Sequence, residues 1–485
     1  MSWKPGLIAL GTLVLGLTIV GLPGGRHTLG TADLSAGGRR DVPWNIVVIV
    51  MDTARQDRLS CYGYERETSP RLDELAASGT LYANAYSTSS WTGPGHASLF
   101  TGLHSVTHGT TQESWDMDEG LTTFAEVLSE RGYRTVGVVE NAMLSSDQGY
   151  SQGFAEYYES WQGKRKWSRD SGQAVVDFRK ALDGGAPGQP FLVFVNLIAP
   201  HSPYNPPRQF RSSFVTRPEM RIDSTMWREY YTGRVTFSDD EITHLNELYD
   251  AEILYTDHLV GEMIDELVQR DLWDDTVLIV TSDHGENIGD HEHMDHLFSL
   301  FETTTKIPFI VRQPELFGAG VVENAPVQLT DVFPTVLEIA GVGADDFPSH
   351  GHSLLGDAPP DDREIFTEYY HPMFVLSGFR RAEHRQSPLL EPYLRRIRSL
   401  IRGDMKLIWG SDGRHELYDL ASDPDELVNI IDSDSHAEVR RDMEARLNEL
   451  LLTMDSGEET ESSMDDLDEL DEATREALRS LGYLE

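Results

Sequence analysis

Five short apolar runs constrain this chain more than any other feature. Trp44 to Met51 is continuous and stops at Asp52; Thr135 to Val139, Phe191 to Leu197, Val277 to Val280 and Pro308 to Val311 repeat the pattern. Runs of this length without polar alternation suit strands buried on both faces, as in a parallel sheet. Helical patterns lie between them, at Ser69 to Ser78, Leu121 to Arg131, Tyr249 to Gln269 and Val332 to Ala340. The alternation predicts an α/β fold, a large mixed, mostly parallel sheet flanked by helices. In such sheets ligands sit at the carboxyl ends of the strands. Asp52 and Asp283 each follow an apolar run, which places both at that edge.

Near Pro359-Pro360 the pattern changes. Arg396 to Ile401 and Met405 to Trp409 read as antiparallel strands around the turn Gly403-Asp404. Glu416 to Leu420 reads as a third strand and His436 to Leu452 as a long helix. The expected organisation has four parts: an anchor and linker over residues 1–42, a catalytic domain over 43–358, a small α+β domain over 359–454, and an acidic tail over 455–485. In the tail, Asp455 to Asp468 is acidic and Glu472 to Leu481 is predicted to be a docking helix. At the other end, Leu7 to Leu22 is a sixteen-residue run without charge, preceded by Lys4 and followed by Pro23-Gly24-Gly25. No Ala-x-Ala cleavage site follows it. The run is predicted to be an uncleaved membrane anchor or export signal, with the catalytic domain outside the cytoplasm.

Charge narrows the choice of partners. Asp+Glu number 81 against 40 Lys+Arg, a formal net charge of −41, and only six of the basic residues are lysine. Nucleic-acid binding needs a basic footprint and is not expected. A solvated acidic surface is the expected reading; a salt-adapted surface is the alternative, because self-repulsion on this scale is relieved by screening. Cys61 is the sole cysteine, so no intrachain disulfide can form.

Three stretches carry groups suited to transfer of an anionic group. Asp52 ends the first strand. Thr92 stands before a predicted helix, in Ser89-Ser90-Trp91-Thr92-Gly93-Pro94-Gly95-His96-Ala97-Ser98-Leu99-Phe100-Thr101-Gly102. Free N–H groups at a helix start favour oxyanions. Asp283-His284 ends a later strand in Thr281-Ser282-Asp283-His284-Gly285-Glu286. Singly, each has an ordinary explanation: an Asp turn, a Thr N-cap, a polar His. Together they offer hard oxygen and imidazole ligands beside a hydroxyl.

The surrounding sequence resembles the sulfatases of the alkaline-phosphatase superfamily. Asn45 to Asp52, Thr68-Ser69-Pro70-Arg71-Leu72-Asp73-Glu74-Leu75-Ala76 and Thr80 to Tyr86 look like the opening of that family. Thr101-Gly102-Leu103-His104, His108-Gly109 and Ala199-Pro200-His201-Ser202-Pro203-Tyr204 continue the likeness. Lys306-Ile307-Pro308, Tyr418-Asp419-Leu420 and Asp423-Pro424 match later segments, so the resemblance covers Pro43 to about Ile431.

The resemblance implies an alkaline-phosphatase-like fold and a hydrolase of sulfuric or phosphoric esters. It implies that Asp52, Thr92, Asp283 and His284 hold one divalent metal, Mn or Zn favoured by the imidazole, with Ca or Mg possible. It implies Thr92 as nucleophile, His201 as leaving-group acid or holder of a substrate oxygen, and Lys306 as the cation that neutralises the transferred group. The family signature is Cys-x-Pro-Ser-Arg, in which Cys or Ser becomes formylglycine. Here Thr92 occupies the first position and His96 the place of the Arg, so His96 joins the candidate catalytic residues. Oxidising a threonine gives a ketone, so formylglycine is not expected. The first metal pair is Asp52-Thr53 where sulfatases often carry Asp-Asp, and the later one is Asp283-His284 where calcium sulfatases often carry Asp-Asn. Asp…Thr…Asp-His is similar instead to phosphonate and phosphodiester hydrolases and to phosphoethanolamine or lipoteichoic-acid transferases. A transferase and a catalytically silent binding protein therefore stand as alternatives. His291, His293 and His296 offer ligands for a second metal but are expected to be loop residues shaping the pocket. The expected partner is a small-molecule, glycan or lipid ester.

Overall fold

The computed structural model describes residues 43–162, 172–216, 226–356, 359–360, 362–370, 388–454 and 471–481. The apolar run at Leu7 to Leu22 and the acidic stretch at Asp455 to Asp468 lie outside them. Among the described residues no helix is long and apolar enough to cross a membrane.

The main sheet has eight strands, which in chain order are β1 (Asn45–Met51), β2 (Thr80–Tyr82), β3 (Arg134–Val139), β4 (Glu156–Glu159), β5 (Phe191–Leu197), β6 (Thr276–Thr281), β7 (Phe309–Arg312) and β8 (Val321–Glu323). Their spatial order is β8-β2-β7-β6-β1-β5-β3-β4. The five apolar runs explain the centre. Ile46 to Val50 of β1 have no exposed surface, because β1 is flanked by β5 and β6, both parallel to it. β7 runs antiparallel to both β6 and β2. The sheet is thus mixed and mostly parallel, as the apolar runs predict.

The helices follow their sequence signals. α1 (Pro70–Ser78) has proline in its first turn, where a missing N–H costs nothing. α2 (Thr92–Thr101) is buried along its whole length. α3 (Phe124–Glu130) opens on a capping box between Thr123 and Glu126. α4 (Gly172–Asp183) follows. α5 (Asp239–Gln269) begins ten residues before the predicted Tyr249, at a capping box in which Ser238 and Glu241 satisfy each other's backbone N–H. α6 (Val332–Ile339) packs beside α2.

Beyond residue 360 a second, antiparallel sheet forms from β9 (Ile365–Tyr369), β10 (Ile397–Arg402), β11 (Met405–Gly410) and β12 (Glu416–Asp419), in that order. The sequence pattern predicts three of these strands and misses β9. Phe366, Leu400, Leu407 and Leu417 pack with Met443 and Leu447 of α7 (Ala437–Met454). Lys406, the second residue of β11, is fully buried and pairs with Glu302 at 2.9 Å and Glu426 at 2.8 Å. The last helix, α8 (Glu472–Leu481), buries Ala477 and Leu478 in the main core, and Thr474 accepts the Trp161 indole N–H at 3.2 Å.

Candidate active site

Parallel β1 and β6 deliver their carboxyl ends to the same edge, so Asp52 and Asp283 meet. Asp283 Oδ1 accepts the backbone N–H groups of Thr53 (3.0 Å) and His284 (2.9 Å). Thr53 has a left-handed backbone, φ 58°, which turns the chain sharply after Asp52. Asp52 Oδ2 accepts from Asn141 Nδ2 at 2.8 Å and Asn196 Nδ2 at 3.1 Å. The other oxygen of each acid, Asp52 Oδ1 and Asp283 Oδ2, is buried with no hydrogen-bond partner.

Burial pushes the Asp52 carboxyl up to about 7, with Asp283 adding repulsion, and burial also raises Asp283. Two adjacent buried carboxylates, each with a spare oxygen, are a donor set that could hold a cation. His284 completes it. Its Nδ1 faces the Gly285 carbonyl at 2.9 Å, which fixes the tautomer and leaves Nε2 as an acceptor. Burial, followed by the neighbouring His296, lowers its pKa to about 3, so the ring is neutral as a ligand must be. Ligand atoms of Asp52, Asp283 and His284 lie within 4.8 Å of one another. These residues fit a divalent metal.

Thr92 is the first residue of α2. Its Oγ1 lies 3.4 Å from His284 Nε2 and 3.5 Å from Asn141 Nδ2. The structure therefore gathers Asp52, Thr92, Asp283 and His284 at one place. His96 lies one helical turn below. Its Nδ1 is 2.8 Å from the Thr92 carbonyl and 3.6 Å from Asp283 Oδ2, and its ring meets Phe100 and Phe194 edge-on. Those contacts make it a support for Thr92 and Asp283. His201 is buried, with Nδ1 2.6 Å from the Ser202 carbonyl and its ring 5.0 Å from that of His296.

Lys306 is not brought to this group. Its Nζ lies 3.8 Å from Glu302 and over the Tyr86 ring at 5.8 Å. It lines an outer cleft of about 940 Å³ with Arg55, Arg58, Tyr62, Tyr64 and His291, and none of Asp52, Thr92, Asp283 or His284 lines that cleft. Of the three loop histidines, His291 stacks on Phe301 and His293 packs against Tyr393. His296 alone reaches the cluster, its ring 4.6 Å from that of His284.

Two site residues are absent from the sequence reading, Asn141 and Asn196. Asn196 is the one polar side chain within the apolar run of β5, and Asn141 comes two residues after β3. A lone amide at the end of a buried strand was the signal available. Asn141 N–H also bonds Asn196 Oδ1 at 3.0 Å, so the two amides brace Asp52 together.

Residues 44–342 match the family model described as sulfatase, and residues 289–452 match the one described as N-sulphoglucosamine sulphohydrolase, C-terminal. Arylsulfatase K of Canis lupus familiaris is 29% identical over 474 residues, covering 83% of this chain and 83% of that protein. An N-acetylglucosamine-6-O-sulfatase of Bacteroides thetaiotaomicron is 23% identical over 498 residues, covering 84% and 86%. Two solved structures share the fold. The phosphonate monoester hydrolase of Agrobacterium radiobacter has a TM-score of 0.67 at 20% identity, covering 85% of this chain and 96% of that one. A protein in complex with its substrate D-glucosamine-2-N,6-O-disulfate has a TM-score of 0.68 at 21% identity, covering 85% and 98%.

Proposed function

The chain belongs to the sulfatase family, and on that premise we propose that it is a metal-dependent hydrolase in which Thr92 attacks a sulfuric or phosphoric ester. The observation that carries this reading is the position of Thr92 Oγ1, 3.4 Å from His284 Nε2 at the start of a buried helix. We assign catalysis to residues 43–358 and a supporting role to residues 359–454. Asp52, Asp283, His284 and Thr92 would hold the metal, which when bound supplies Lewis-acid polarisation of the transferred group and stabilises a deprotonated hydroxyl.

The protein's own groups account for the remaining steps. Thr92 Oγ gives up its proton to solvent and forms a bond to sulfur or phosphorus, while the bond from that atom to the leaving oxygen breaks. His201 donates a proton to the departing oxygen. Water then attacks the same central atom, His201 takes the proton it releases, and the bond to Oγ breaks, with Oγ taking a proton back from solvent to restore the hydroxyl. Asn141 and Asn196 keep Asp52 oriented throughout. Attack at the central atom is required in the second step, because a threonine ester cannot collapse to an aldehyde as a formylglycine hydrate does. That route is well suited to phosphorus.

The likeness to a phosphonate monoester hydrolase favours the phosphoric side, and the likeness to a protein that binds a disulfated glucosamine favours a glycan sulfate. The deciding experiment assays metal-loaded protein on an aryl sulfate, a phosphate monoester, a phosphodiester and a phosphonate side by side. Turnover of none of the four sinks the reading in favour of a silent binding protein. Faster discharge to added alcohol than to water turns it into a transferase. Export through the Leu7 to Leu22 run is proposed with it and is tested by fractionating cells that express the full chain.

A further inference from the structure

Asn141 reaches Thr92 from the start of a short turn, Ala142–Leu144. Its Oδ1 accepts the Met143 backbone N–H of that turn at 3.0 Å. Its Nδ2 stands 2.8 Å from Asp52 Oδ2 and 3.5 Å from Thr92 Oγ1. The side chain is therefore gripped at its oxygen by the turn and presents its nitrogen to the site. Where the turn sits decides where that nitrogen points.

The last helix, α8, backs this turn. The two elements pack together, and Ala477 and Leu478 share one buried core with Ala142, Met143 and Leu144. The buried positions of α8 are Thr474, Ala477, Leu478 and Leu481, one stripe at helical spacing. Asp471 caps the helix, its Oδ1 accepting the backbone N–H groups of Ala473 at 2.7 Å and Thr474 at 3.0 Å. The helix start is also tied to the chain just after β4. Gln162 Nε2 donates to Asp471 Oδ2 at 2.9 Å, and the Trp161 indole donates to Thr474. That same stretch holds the loop after β3, because Glu159 Oε1 accepts the Ser146 N–H at 2.7 Å and Tyr157 Oη donates to the Leu144 carbonyl at 2.7 Å. A helix of ten residues is marginal in water by itself, so α8 persists through this docking. It also lies beyond the matched family ranges, which end at residues 342 and 452.

We infer that α8 is a positioning element of the active site. Docked, it holds the turn Ala142–Leu144 so that Asn141 Nδ2 meets Asp52 and Thr92. Released, it lets the turn shift, and the amide loses its aim. The helix acts through Asn141, and its loss is felt in the reaction rather than in ground-state binding. The inference rests on the reading of Thr92 as the nucleophile of ester cleavage.

The test is a double-mutant cycle in the full-length, metal-loaded protein: parent, Ala477→Asp, Asn141→Ala and the double variant. Ala477→Asp puts a charge into the buried stripe and should undock α8. kcat and KM are measured on the best ester, bound metal by elemental analysis, and backbone hydrogen exchange over residues 141–148 by mass spectrometry. Ala477→Asp is expected to speed that exchange and to lower kcat about tenfold, with KM and metal content as in the parent. Asn141→Ala is expected to lower kcat by at least as much. The double variant is expected to match Asn141→Ala within about twofold, because two changes that act through one contact do not add. A helix that merely supports the fold would give losses that multiply, and that result overturns the inference. So does a folded Ala477→Asp with the parent's kcat, with unchanged exchange over residues 141–148, or with loss of metal. If Ala477→Asp fails to fold, Leu478→Ala, which only trims the stripe, takes its place in the cycle and is read by the same outcomes. A parent that cleaves no ester overturns the functional reading and this inference together. A parent that cleaves one, with the undocked variant its equal in kcat, overturns the inference alone.

Discussion

Thr53 donates its backbone N–H to Asp283 Oδ1 at 3.0 Å across 230 positions of the chain. That bond fastens the end of β1 to the end of β6, so the two acids that face each other are held there by backbone. The spare oxygens Asp52 Oδ1 and Asp283 Oδ2 then have no hydrogen-bond partner, and under the proposed function a cation would bind them.

Divalent metal should therefore stabilise the fold. A cation present at about a hundred times its dissociation constant adds about 2.7 kcal/mol to unfolding. Asp283→Asn keeps an acceptor for Thr53 and His284 but removes a charge, and should lose most of that gain. Asp283→Ala should lose all of it. Differential scanning calorimetry with and without chelator reads both variants. A metal-induced rise in Tm for Asp283→Ala equal to the parent's would place the metal elsewhere.

A second histidine cluster should lower stability as the pH falls. His108 is buried; its Nδ1 accepts the Thr110 backbone N–H at 3.1 Å and its Nε2 faces Ser98 Oγ at 3.1 Å. Protonation would place a second N–H against that of Thr110. Burial, with His350 nearby, lowers its pKa to about 3, and burial holds neighbouring His104 well below its usual value as well. A folded pKa below the unfolded one means that the unfolded chain binds the proton first. The contribution is complete above the unfolded value near 6.5 and is lost as pH falls from there toward 3, at about 1.4 kcal/mol per pH unit for each such histidine. Urea unfolding at pH 7.5 and 5.5 should show the loss, and His108→Asn, which keeps an acceptor for Thr110, should shrink it. An identical pH slope in that variant would remove His108 from the account.

Net charge gives a prediction of opposite kind. A formal charge of −41 repels itself in the compact state. Raising ionic strength from about 0.1 M to about 1 M shortens the Debye length from about 10 Å to about 3 Å and should raise the urea midpoint. Chloride salts are the proper probe, because sulfate strengthens burial by itself. A midpoint unmoved by chloride would mean that the acids are spaced widely enough not to need screening.

The sheet and half of the site were legible because burial on both faces leaves a one-dimensional trace. β1 reads as an apolar run with Asp52 at its end, and β6 leads to Asp283. What the trace cannot show is which loop side chains turn inward. Lys306 precedes β7, whose antiparallel start lies at the site's edge, yet its side chain rests over Tyr86. His296 is one of three histidines expected to shape the pocket from a loop, and no sequence signal shows that it, unlike His291 and His293, sits beside His284 after the left-handed turn at Asp295. Asn141 and Asn196 show no spacing signal, because their relation to Asp52 is across neighbouring strands. Lys406 would be read as exposed on a short strand, but its partners Glu302 and Glu426 come from segments far away in sequence.

Thr92 bears the sharpest test. Its hydroxyl stands 3.4 Å from His284 Nε2 and can form a covalent ester, and Asn141 Nδ2 stands 3.5 Å from it. Thr92→Ala should lower kcat by about a thousandfold or more, since the residual rate comes from metal and binding alone. Thr92→Ser keeps the hydroxyl and loses a methyl that restricts χ1, so it should retain part of the rate. Rapid quenching during turnover should trap one phosphoryl or sulfuryl group on the peptide that carries Thr92, and mass spectrometry would find it there in the parent and in Thr92→Ser only. Asn141→Ala should lower kcat while leaving the trapped adduct on the same peptide, because it removes a brace and not the nucleophile. Equal turnover in parent and Thr92→Ala, with no adduct, would make water the nucleophile and leave Thr92 as a ligand at the start of its helix.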